Sequence, residues 1–428
     1  MPAKAALAPK AAFIGGGIAG LYAALLYSDA HPGHTVTVYE ASGRWGGNIE
    51  TYYDPKKAYQ YEAGAGRFNN HHKLLNGLIE RFGLTPIPIT SKKQSCELLK
   101  VPKPALAPKP KAAVATGAET MTYGEYLEQQ TSKEYRREAQ EAFGYDAEFD
   151  WMNAADALRM FRMDFRSSIQ YFALKEGLSE LVKRMVKTLD ERPNVHLRLR
   201  RKLTGWEWDA VAREFVVNVG KTHRVDVLYL ALPKEALLGI VGSPIDHLRE
   251  ALNAVQSVPL HRIYGRFTKA SAYPEQRTTT RLPIRQYIPI QPALKLSMVS
   301  YSDTGAADDW HGLYKKNREV FKATLEDTLT RMFRVCDDRR ETDRRENERA
   351  DRTYRLRWAR SYYWATGVHV WKAGVSSEAV ARVVRRPLGD GVPCYIVGEA
   401  YSRHQGWIEG ALMTVQETFG MKNNLKKE

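Results

Sequence analysis

Cysteine is scarce in this chain. Its three cysteines, Cys96, Cys336 and Cys394, lie far apart, are odd in number and show no C-x-x-C spacing. That pattern argues against a disulfide framework and against a structural zinc site, so we predict no metal. A reducing compartment is the simplest location, and we expect a cytoplasmic protein.

Long uncharged stretches are also few. Residues 11–27 carry no charge and follow Lys4 and Lys10, which superficially matches a signal peptide. The stretch is shorter than the ~20 residues of a membrane span. It also contains a glycine motif and continues into a second strand, so we predict that it belongs to the folded core and that no membrane span is present.

Acidic residues are outnumbered, with 49 Asp and Glu against 64 Lys and Arg, for a formal charge of +15. A surplus of that size favours anionic partners such as carboxylates, phosphates, nucleic acid or an acidic membrane face. The basic residues are scattered and no nucleic-acid-binding module is recognisable, so a solubilising surface is the simpler interpretation. At 428 residues the chain suits two intertwined domains. The sequence leaves a homodimer open as the assembly.

Apolar periodicity predicts an α/β chain with mixed material between two nucleotide-binding ends. The predicted helices cover residues 121–143, 154–165 (capped by Asn153) and 178–189. The predicted strands cover 195–200, 214–219 and 225–232, and residues 282–301 are β-rich. Residues 101–120, rich in Pro, Ala and Lys, predict a mobile surface loop, and the charged residues 337–357 predict an exposed helix end or a loop.

A glycine motif follows the first predicted strand, residues 11–14. Gly15, Gly17 and Gly20 form G-x-G-x-x-G, in which the glycines allow a tight turn, close approach of a pyrophosphate and close helix packing. The helix that follows offers free N–H groups to the phosphates. A second strand ends at Glu40, where an acid accepts hydrogen bonds from ribose hydroxyls. This order of features predicts dinucleotide binding.

Residues 42–48 indicate which dinucleotide. Arg44 can pair with a pyrophosphate, and Gly46 and Gly47 let the backbone pass close to a cofactor. The pattern resembles the R-x-G-G element of the flavin amine oxidase superfamily, which includes monoamine, polyamine and L-amino acid oxidases. The resemblance implies that the cofactor is FAD.

A second motif lies near the other end of the chain. A strand at 393–397 runs into Gly398 and Glu399, and Gly406, Trp407 and Ile408 follow. This resembles the superfamily's closing G-E-x-x-S…G-W-x-E-G-A element. The resemblance implies that Glu399 lies near the ribityl–phosphate chain and that the next helix points its N-terminus at the flavin ring, where its dipole stabilises negative charge.

The resemblance covers about residues 10–100 and 165–425. It implies an α/β fold in which an FAD-binding Rossmann-like (GR2-type) domain, residues 1–70, 178–265 and 355–428, is interleaved with an α+β substrate-binding domain, residues 71–177 and 266–354. The backbone of Leu203 is expected at the adenine. The expected cofactor contacts are Gly15, Gly17, Ile18, Ala19, Gly20, Glu40, Ala41, Arg44, Gly46, Gly47, Gly64, Ala65, Gly66, Arg67, Leu203, Gly398, Glu399, Gly406, Trp407 and Ile408.

The resemblance also implies a reaction. The α-carbon of an amine gives a hydride equivalent to flavin, the imine hydrolyses, and O2 reoxidises the flavin with formation of H2O2. Trp407 is the first candidate for an aromatic pocket, whereas Trp364, His369 and Trp371 suit either the pocket or the core. Monoamine oxidases attach flavin through a cysteine in a segment equivalent to residues 367–371, which has none here, so we expect non-covalent FAD.

Two arginines bear on the chemistry. Arg262 stands where many superfamily members carry a lysine that supports reaction with oxygen, which leaves that reaction open. Arg67 stands where L-amino acid oxidases place the arginine that binds the substrate α-carboxylate. The alternatives for Arg67 are a contact with an FAD phosphate and an ion pair with Glu62.

We therefore predict an oxidase of L-amino acids that yields an imine, then a keto acid, ammonia and H2O2. Three other functions stay open. One is a polyamine or monoamine oxidase, one is a flavin dehydrogenase or desaturase that uses another electron acceptor, and one is a flavin-containing regulatory protein with a degenerate site.

Overall fold

The structure is a computed structural model that describes residues 8–89, 93–95, 117–166, 168–338 and 353–421. Its strands are β1 (Lys10–Ile14), β2 (Thr35–Tyr39), β3 (Thr51–Tyr53), β4 (Gln60–Glu62), β5 (Phe68–Asn69), β6 (Pro86–Pro88), β7 (Lys93–Ser95), β8 (Tyr171–Leu174), β9 (Val195–Arg198), β10 (Gly205–Asp209), β11 (Glu214–Asn218), β12 (Thr222–Val225), β13 (Val227–Leu230), β14 (Val255–Phe267), β15 (Arg277–Thr279), β16 (Gln286–Gln291), β17 (Leu296–Asp303), β18 (Leu356–Trp371) and β19 (Cys394–Ile396). Its helices are α1 (Ile18–Ala30), α2 (Lys73–Arg81), α3 (Tyr123–Gln130), α4 (Lys133–Phe143), α5 (Ala147–Asp150), α6 (Ala154–Asp164), α7 (Leu178–Asp190), α8 (Lys234–Leu238), α9 (Arg249–Leu252), α10 (Thr304–Lys316), α11 (Arg318–Asp338), α12 (Ser377–Arg385) and α13 (Ile408–Thr418).

A five-stranded parallel sheet joins the two ends of the chain in the order β19-β13-β1-β2-β9. Helices α1, α2, α7 and α13 contribute to the apolar cluster on one face, and the small antiparallel sheet β10-β11-β12 packs on the other. Because both faces are covered, β1 is apolar and buried from Ala11 to Ile14. The strands predicted at 11–14, 195–200 and 393–397 and the one predicted to end at Glu40 are confirmed.

A six-stranded sheet has the order β18-β14-β17-β16-β15-β7. The long strands β14 and β18 pair antiparallel, with Leu260 opposite Trp364 and Arg262 opposite Tyr362. The β-rich prediction for 282–301 is confirmed, and a short 3-10 turn at Pro292–Leu294 separates β16 from β17. The pairing also shows that β14 and β18, which the sequence assigned largely to the cofactor domain, belong to the same sheet as β16 and β17.

The helix predicted for 121–143 is two helices. Ser132 begins α4 because its side chain accepts a hydrogen bond from the backbone N–H of Tyr135, which ends the continuity with α3. The cap predicted at Asn153 is confirmed, since its side chain accepts from the N–H of Asp156. Residues 339–352 of the charged stretch, residues 101–116 of the predicted loop, and Cys96 lie outside the described residues.

The chain is therefore a mixed α/β protein, as predicted. Among the residues that the structure describes, no helix combines the length and the apolar character needed to cross a bilayer.

Candidate active site

The glycine motif forms a tight turn between β1 and α1. Gly15 adopts a φ of 111°, and a Cβ there would lie 2.2 Å from the carbonyl oxygen of Ala231. A Cβ on Gly20 would lie 1.9 Å from the carbonyl oxygen of Gly15. Both positions therefore require glycine, because larger residues would push α1 away from the sheet.

The N-terminus of α1 lacks a side-chain cap. Gly17 precedes the helix, no side chain accepts from its first N–H groups, and its first turn contains no acidic residue. Gly17 also pairs with Gly46, and a Cβ on Gly47 would lie 3.2 Å from the Gly17 Cα. Free N–H groups beside a glycine-lined gap fit a bound anion such as a pyrophosphate.

Glu40 follows β2 and supports the same turn. Its carboxylate accepts hydrogen bonds from the N–H of Gly16 and from the N–H of Ser42, both at 2.7 Å. Its carbonyl oxygen accepts from the N–H of Arg201, which brings the chain leading to Leu203 beside Ala41. Leu203 itself is buried in the second core cluster.

Arg44 stabilises the loop that faces Gly17. Its guanidinium donates to the carbonyl oxygens of Gly47 at 2.6 Å and Ile49 at 3.0 Å, and it forms an ion pair with Glu50 at 3.3 Å. The glycine turn, the uncapped helix and Glu40 together fit the phosphates and ribose of FAD. Arg44 would border that site while holding the loop.

A cavity of about 360 Å³ continues from this turn. Its wall combines the glycine turn, the loop after β4, the strand β18 and the closing motif. Of the residues predicted to bind the cofactor or act on the substrate, it is lined by Gly17, Ile18, Ala19, Gly46, Gly47, Gly64, Ala65, Gly66, Arg67, Arg262, Trp364, His369, Gly398, Glu399, Gly406, Trp407 and Ile408.

Glu399 connects the closing motif to β18. Its carboxylate accepts hydrogen bonds from the N–H of Gly406 at 2.7 Å and from the backbone N–H of His369 at 3.0 Å. It also lies 2.7 Å from Nδ1 of the His369 imidazole. Within the described part of the chain, Nε2 of His369 is buried and has no hydrogen-bond partner. The pair therefore fixes the imidazole at the wall of the cavity.

The three tryptophans predicted near the pocket occupy different places. Trp407 lies on the cavity wall immediately before α13. Trp364 also lines the cavity, and its Nε1–H donates to the carbonyl oxygen of Ala63 at 2.8 Å. The pocket prediction for Trp371 is wrong: this residue is 1% exposed, packs in the second core cluster, and donates to the carbonyl oxygen of Ser402.

Arg67 lies beside a stacked pair of aromatic rings. The central carbon of its guanidinium is 5.1 Å from the ring centroid of Tyr171 and 5.6 Å from that of Trp407. No carboxylate of the described residues forms an ion pair with it. Its positive charge is therefore available to a ligand in the cavity.

The alternative ion pair between Arg67 and Glu62 is wrong. The Glu62 carboxylate instead accepts from the hydroxyl of Thr51 at 2.7 Å and from the N–H of Leu178 at 2.8 Å, where α7 begins. Burial raises the pKa of Glu62 to about 7. The carbonyl oxygen of Glu62 accepts from Arg262 at 2.9 Å.

Arg262 is held in place on β14. Besides its bond to Glu62, it donates to the hydroxyl of Tyr301 at 3.3 Å, and its guanidinium lies 4.6 Å from that ring's centroid. A Cβ on Gly66 would lie 2.7 Å from the Arg262 guanidinium. Glycine at 66 thus lets Arg262 reach the cavity beside Arg67.

The cavity residues that the sequence did not predict include Tyr145, Glu148, Tyr301 and Asp303. Tyr145 and Tyr301 meet edge to face at 5.2 Å. Asp303 accepts from the N–H groups of Asp146 and Ala147, so it caps α5. Burial, followed by the nearby Asp146 carboxylate, raises the pKa of Asp303. The sequence signal for these residues is weak because they come from distant segments that only the tertiary fold brings together.

A buried cluster lies behind Trp407. Asp164 accepts from Nε2 of His404 at 2.7 Å and from Nε2 of His72 at 3.2 Å, and the amide of Asn69 donates to it at 3.0 Å. Donor atoms of the two histidines and Asp164 lie within 4.8 Å of one another, a spacing that could hold a metal ion. Both facing imidazole nitrogens already bond to Asp164, which favours a hydrogen-bonded network.

Glu409, in the first turn of α13, connects that helix to α2. Its two carboxylate oxygens accept from the N–H groups of Leu74 and Leu75, each at 2.9 Å. These N–H groups belong to the first turn of α2, so Glu409 stabilises both helices across 335 residues of sequence.

Comparison with known proteins gives the family. The profile of a family described as "Flavin containing amine oxidoreductase" matches residues 18–156 and 115–414. Two curated relatives are L-amino-acid oxidases. That of Mus musculus is 44% identical over 75 residues, which are 18% of this chain and 12% of the relative. That of Bungarus fasciatus is 41% identical over 71 residues, 17% of this chain and 13% of the relative. The matches thus span a small part of these relatives' length.

Solved structures show the same fold. A protein assigned as a protoporphyrinogen oxidase of Exiguobacterium sp. 255-15 is similar with a TM-score of 0.70 at 16% identity, covering 96% of this chain and 98% of that one. An engineered putrescine oxidase is similar with a TM-score of 0.71 at 14% identity, covering 97% of this chain and 98% of that one.

Proposed function

The chain belongs to the family of flavin-containing amine oxidoreductases and binds FAD, and on that premise we propose that it is an oxidase of L-amino acids. The observation that carries this proposal is Arg67, whose guanidinium faces the cavity without an anionic partner. A guanidinium can bind an α-carboxylate with two parallel hydrogen bonds, and a simple amine has no group that would use it.

The cavity residues divide the work. When bound, FAD supplies the acceptor for the hydride of the substrate α-carbon. Arg67 would bind the carboxylate and so fix the orientation of that carbon. The guanidinium lies beside the stacked rings of Tyr171 and Trp407, and aromatic side chains also exclude water, which strengthens the ion pair. The expected products are an imine, then a keto acid and ammonia, with H2O2 where O2 is the electron acceptor.

Arg262 supports a second candidate, a dehydrogenase or desaturase that passes electrons to another acceptor. This arginine is bound to Glu62 and Tyr301, so it cannot easily reposition, and it does not act as a neutral base. A polyamine or monoamine oxidase is the runner-up for the substrate, because neighbours of this fold include a putrescine oxidase.

The test is a peroxide-coupled screen of amino acids, each beside the amine that decarboxylation would give. We expect oxidation of amino acids and none of the matched amines. Oxidation of both members of a pair would contradict the proposal. Reduction of the flavin under anaerobic conditions without peroxide formation in air would instead favour a dehydrogenase.

We also propose the two interleaved domains given by the sequence, a Rossmann-like FAD-binding part and a substrate-binding part. Strand pairing supports placing β14 and β18 with the substrate-binding sheet. Non-covalent attachment of FAD, a homodimer and a cytoplasmic location stay predictions.

A further inference from the structure

The part of the cavity around α5 is largely apolar. The apolar side chains that line it there are members of a single hydrophobic cluster, and those that reach the cavity are Tyr145, Ala147, Met160, Phe165, Val258, Leu260, Tyr301 and Val368. Such a wall suits methylene or aromatic groups of a ligand. Glu148 is the exception, because it places a carboxyl group on the same wall.

The carboxyl group of Glu148 has an oxygen atom without a hydrogen-bond partner among the described residues. This atom, Oε2, is buried, and the carboxyl group forms no ion pair with those residues. The two nearby acids are satisfied: Asp303 accepts from two backbone N–H groups, and Asp146 pairs with Arg285 at 2.6 Å. A buried polar atom without a partner is costly, so its presence at a cavity wall indicates a ligand.

The charges around Glu148 are Asp303 on β17, Asp146 beside it on its own segment and Arg67 on the loop after β4. Burial, followed by the Asp303 carboxylate, raises the pKa of Glu148 to about 8. In the free enzyme at pH 7 this carboxyl group is therefore largely protonated. A cation that entered the cavity would favour its ionised form.

We propose that Glu148 binds the terminal cation of the substrate side chain, so that the substrates are basic L-amino acids of the lysine, ornithine or arginine type. This inference rests on the proposed function, because Arg67 must hold the α-carboxylate. The apolar wall then accommodates the methylene groups between the two charged ends. Neutral side chains of equal length leave Glu148 without a partner.

Two probes separate the charged ends without turnover. Hexanoate carries the carboxylate and the methylene chain, and 6-aminohexanoate adds the cation while lacking an α-amine. Calorimetric titration of the anaerobic holoenzyme should show 6-aminohexanoate binding about 10- to 100-fold more tightly than hexanoate, as a charged hydrogen bond in a buried site would give. Titration in buffers of different ionisation enthalpy at pH 7 should show release of up to about one proton for 6-aminohexanoate only.

Variants locate the effect. Glu148→Gln should remove both the preference and the proton release, whereas Glu128→Gln, which removes an exposed acid on α3, should keep both. Lysine and norleucine extend the test to turnover: Glu148→Leu should shift the ratio of their kcat/KM values towards norleucine. Circular dichroism and flavin absorbance check that the variants fold. The comparison of the two probes on the wild type does not depend on any variant.

Equal affinity of the two probes for the wild type, or a preference that survives in Glu148→Gln, overturns the assignment of Glu148. If either of these results is found and Arg67→Ala loses hexanoate binding, only the assignment of Glu148 is wrong and the amino acid proposal stands. Unchanged hexanoate binding in Arg67→Ala would contradict the amino acid proposal itself. Failure of both probes to bind the wild type would overturn both.

Discussion

The guanidinium of Arg67 lies over the indole ring of Trp407, with its central carbon 5.6 Å from the ring centroid. The ring centroid of Tyr171 lies 5.1 Å from the same carbon, and the two rings stack 6.2 Å apart with an interplanar angle of 18°, so the guanidinium lies beside the pair. Aromatic faces attract a cation but supply no negative charge. The arrangement therefore orients Arg67 and leaves its charge for an anionic ligand.

The first prediction concerns this arginine. Arg67→Ala should raise the KM for the preferred amino acid by the equivalent of ~2–5 kcal/mol, because a buried charged pair is lost. Arg67→Lys should retain part of the affinity, since lysine keeps the charge but lacks the two-pronged geometry. Peroxide-coupled kinetics measure KM, and flavin absorbance measures occupancy. Arg137→Ala, at an exposed arginine of α4, is the control. An Arg67→Ala enzyme that loses its flavin would assign this residue to the cofactor.

The second prediction concerns Glu40. Glu40→Ala should lower FAD occupancy, because it removes the carboxylate that orders Gly16 and Ser42 and that we expect to bind the ribose, each bond being worth ~1.5–3 kcal/mol. Denaturation by acid or heat should release intact FAD from the wild type into the supernatant. Absorbance at the flavin band and chromatography of the supernatant measure both effects. Flavin that stays with the precipitated chain would contradict non-covalent binding, and Glu207→Ala, at an exposed acid of β10, is the control for occupancy.

The cofactor half of the site could be predicted because its signals are local. Gly15, Gly17 and Gly20 mark the turn between β1 and α1, and Glu40 ends the next strand, so four positions within one supersecondary unit define the geometry. The break between α3 and α4 also has a local sequence signal, because Ser132 is a typical helix cap. The prediction missed it because the apolar pattern continues on both sides of Ser132.

Other residues of the cavity could not be predicted, because they meet only in the tertiary structure. Glu148 and Tyr301 come from segments more than 150 residues apart, and neither lies in a motif. Trp371 shows the opposite error: it lies in an aromatic-rich stretch but packs in the core, because it is the last residue of β18 and contacts Ser402 and Tyr401 beyond the cavity. Position along β18 decides which of its aromatic residues reach the cavity, and the sequence pattern does not specify that position.

The third prediction concerns reaction with oxygen. If Arg262 replaces a lysine that supports this reaction, Arg262→Lys should accelerate flavin reoxidation by O2 and leave anaerobic reduction by substrate roughly unchanged. Stopped-flow absorbance separates the two half-reactions, and Arg266→Lys on the same strand is the control. Unchanged reoxidation would mean that Arg262 is structural, through its bonds to Glu62 and Tyr301.

The last prediction concerns the network of His72, Asp164 and His404. Burial alone would raise the pKa of Asp164, but the two imidazoles outweigh it and hold the pKa below its ordinary range. Asp164→Asn should therefore lower the free energy of unfolding by about 3 kcal/mol near pH 7, because a buried charged partner is lost. Since the facing nitrogens already bond to Asp164, the wild-type Tm should not change on dialysis against EDTA. A Tm that falls with EDTA would indicate a bound metal instead.

The same network predicts an acid-sensitive fold. Burial lowers the pKa of His72, so the unfolded chain binds a proton near pH 6.5 that the native imidazole does not accept. The contribution of His72 to stability is therefore complete above about pH 6.5 and decreases as the pH falls below that value. Asp164 acts in the same direction at lower pH, where its contribution is lost below about pH 3.9.

The Tm of the wild type should fall between pH 7 and pH 5, and that dependence should be weaker in His72→Gln, whose amide can still donate to Asp164 but does not titrate. His196→Gln, at an exposed histidine of β9, should keep the wild-type dependence. Equal dependence in His72→Gln and in the wild type would mean that other groups cause the acid sensitivity.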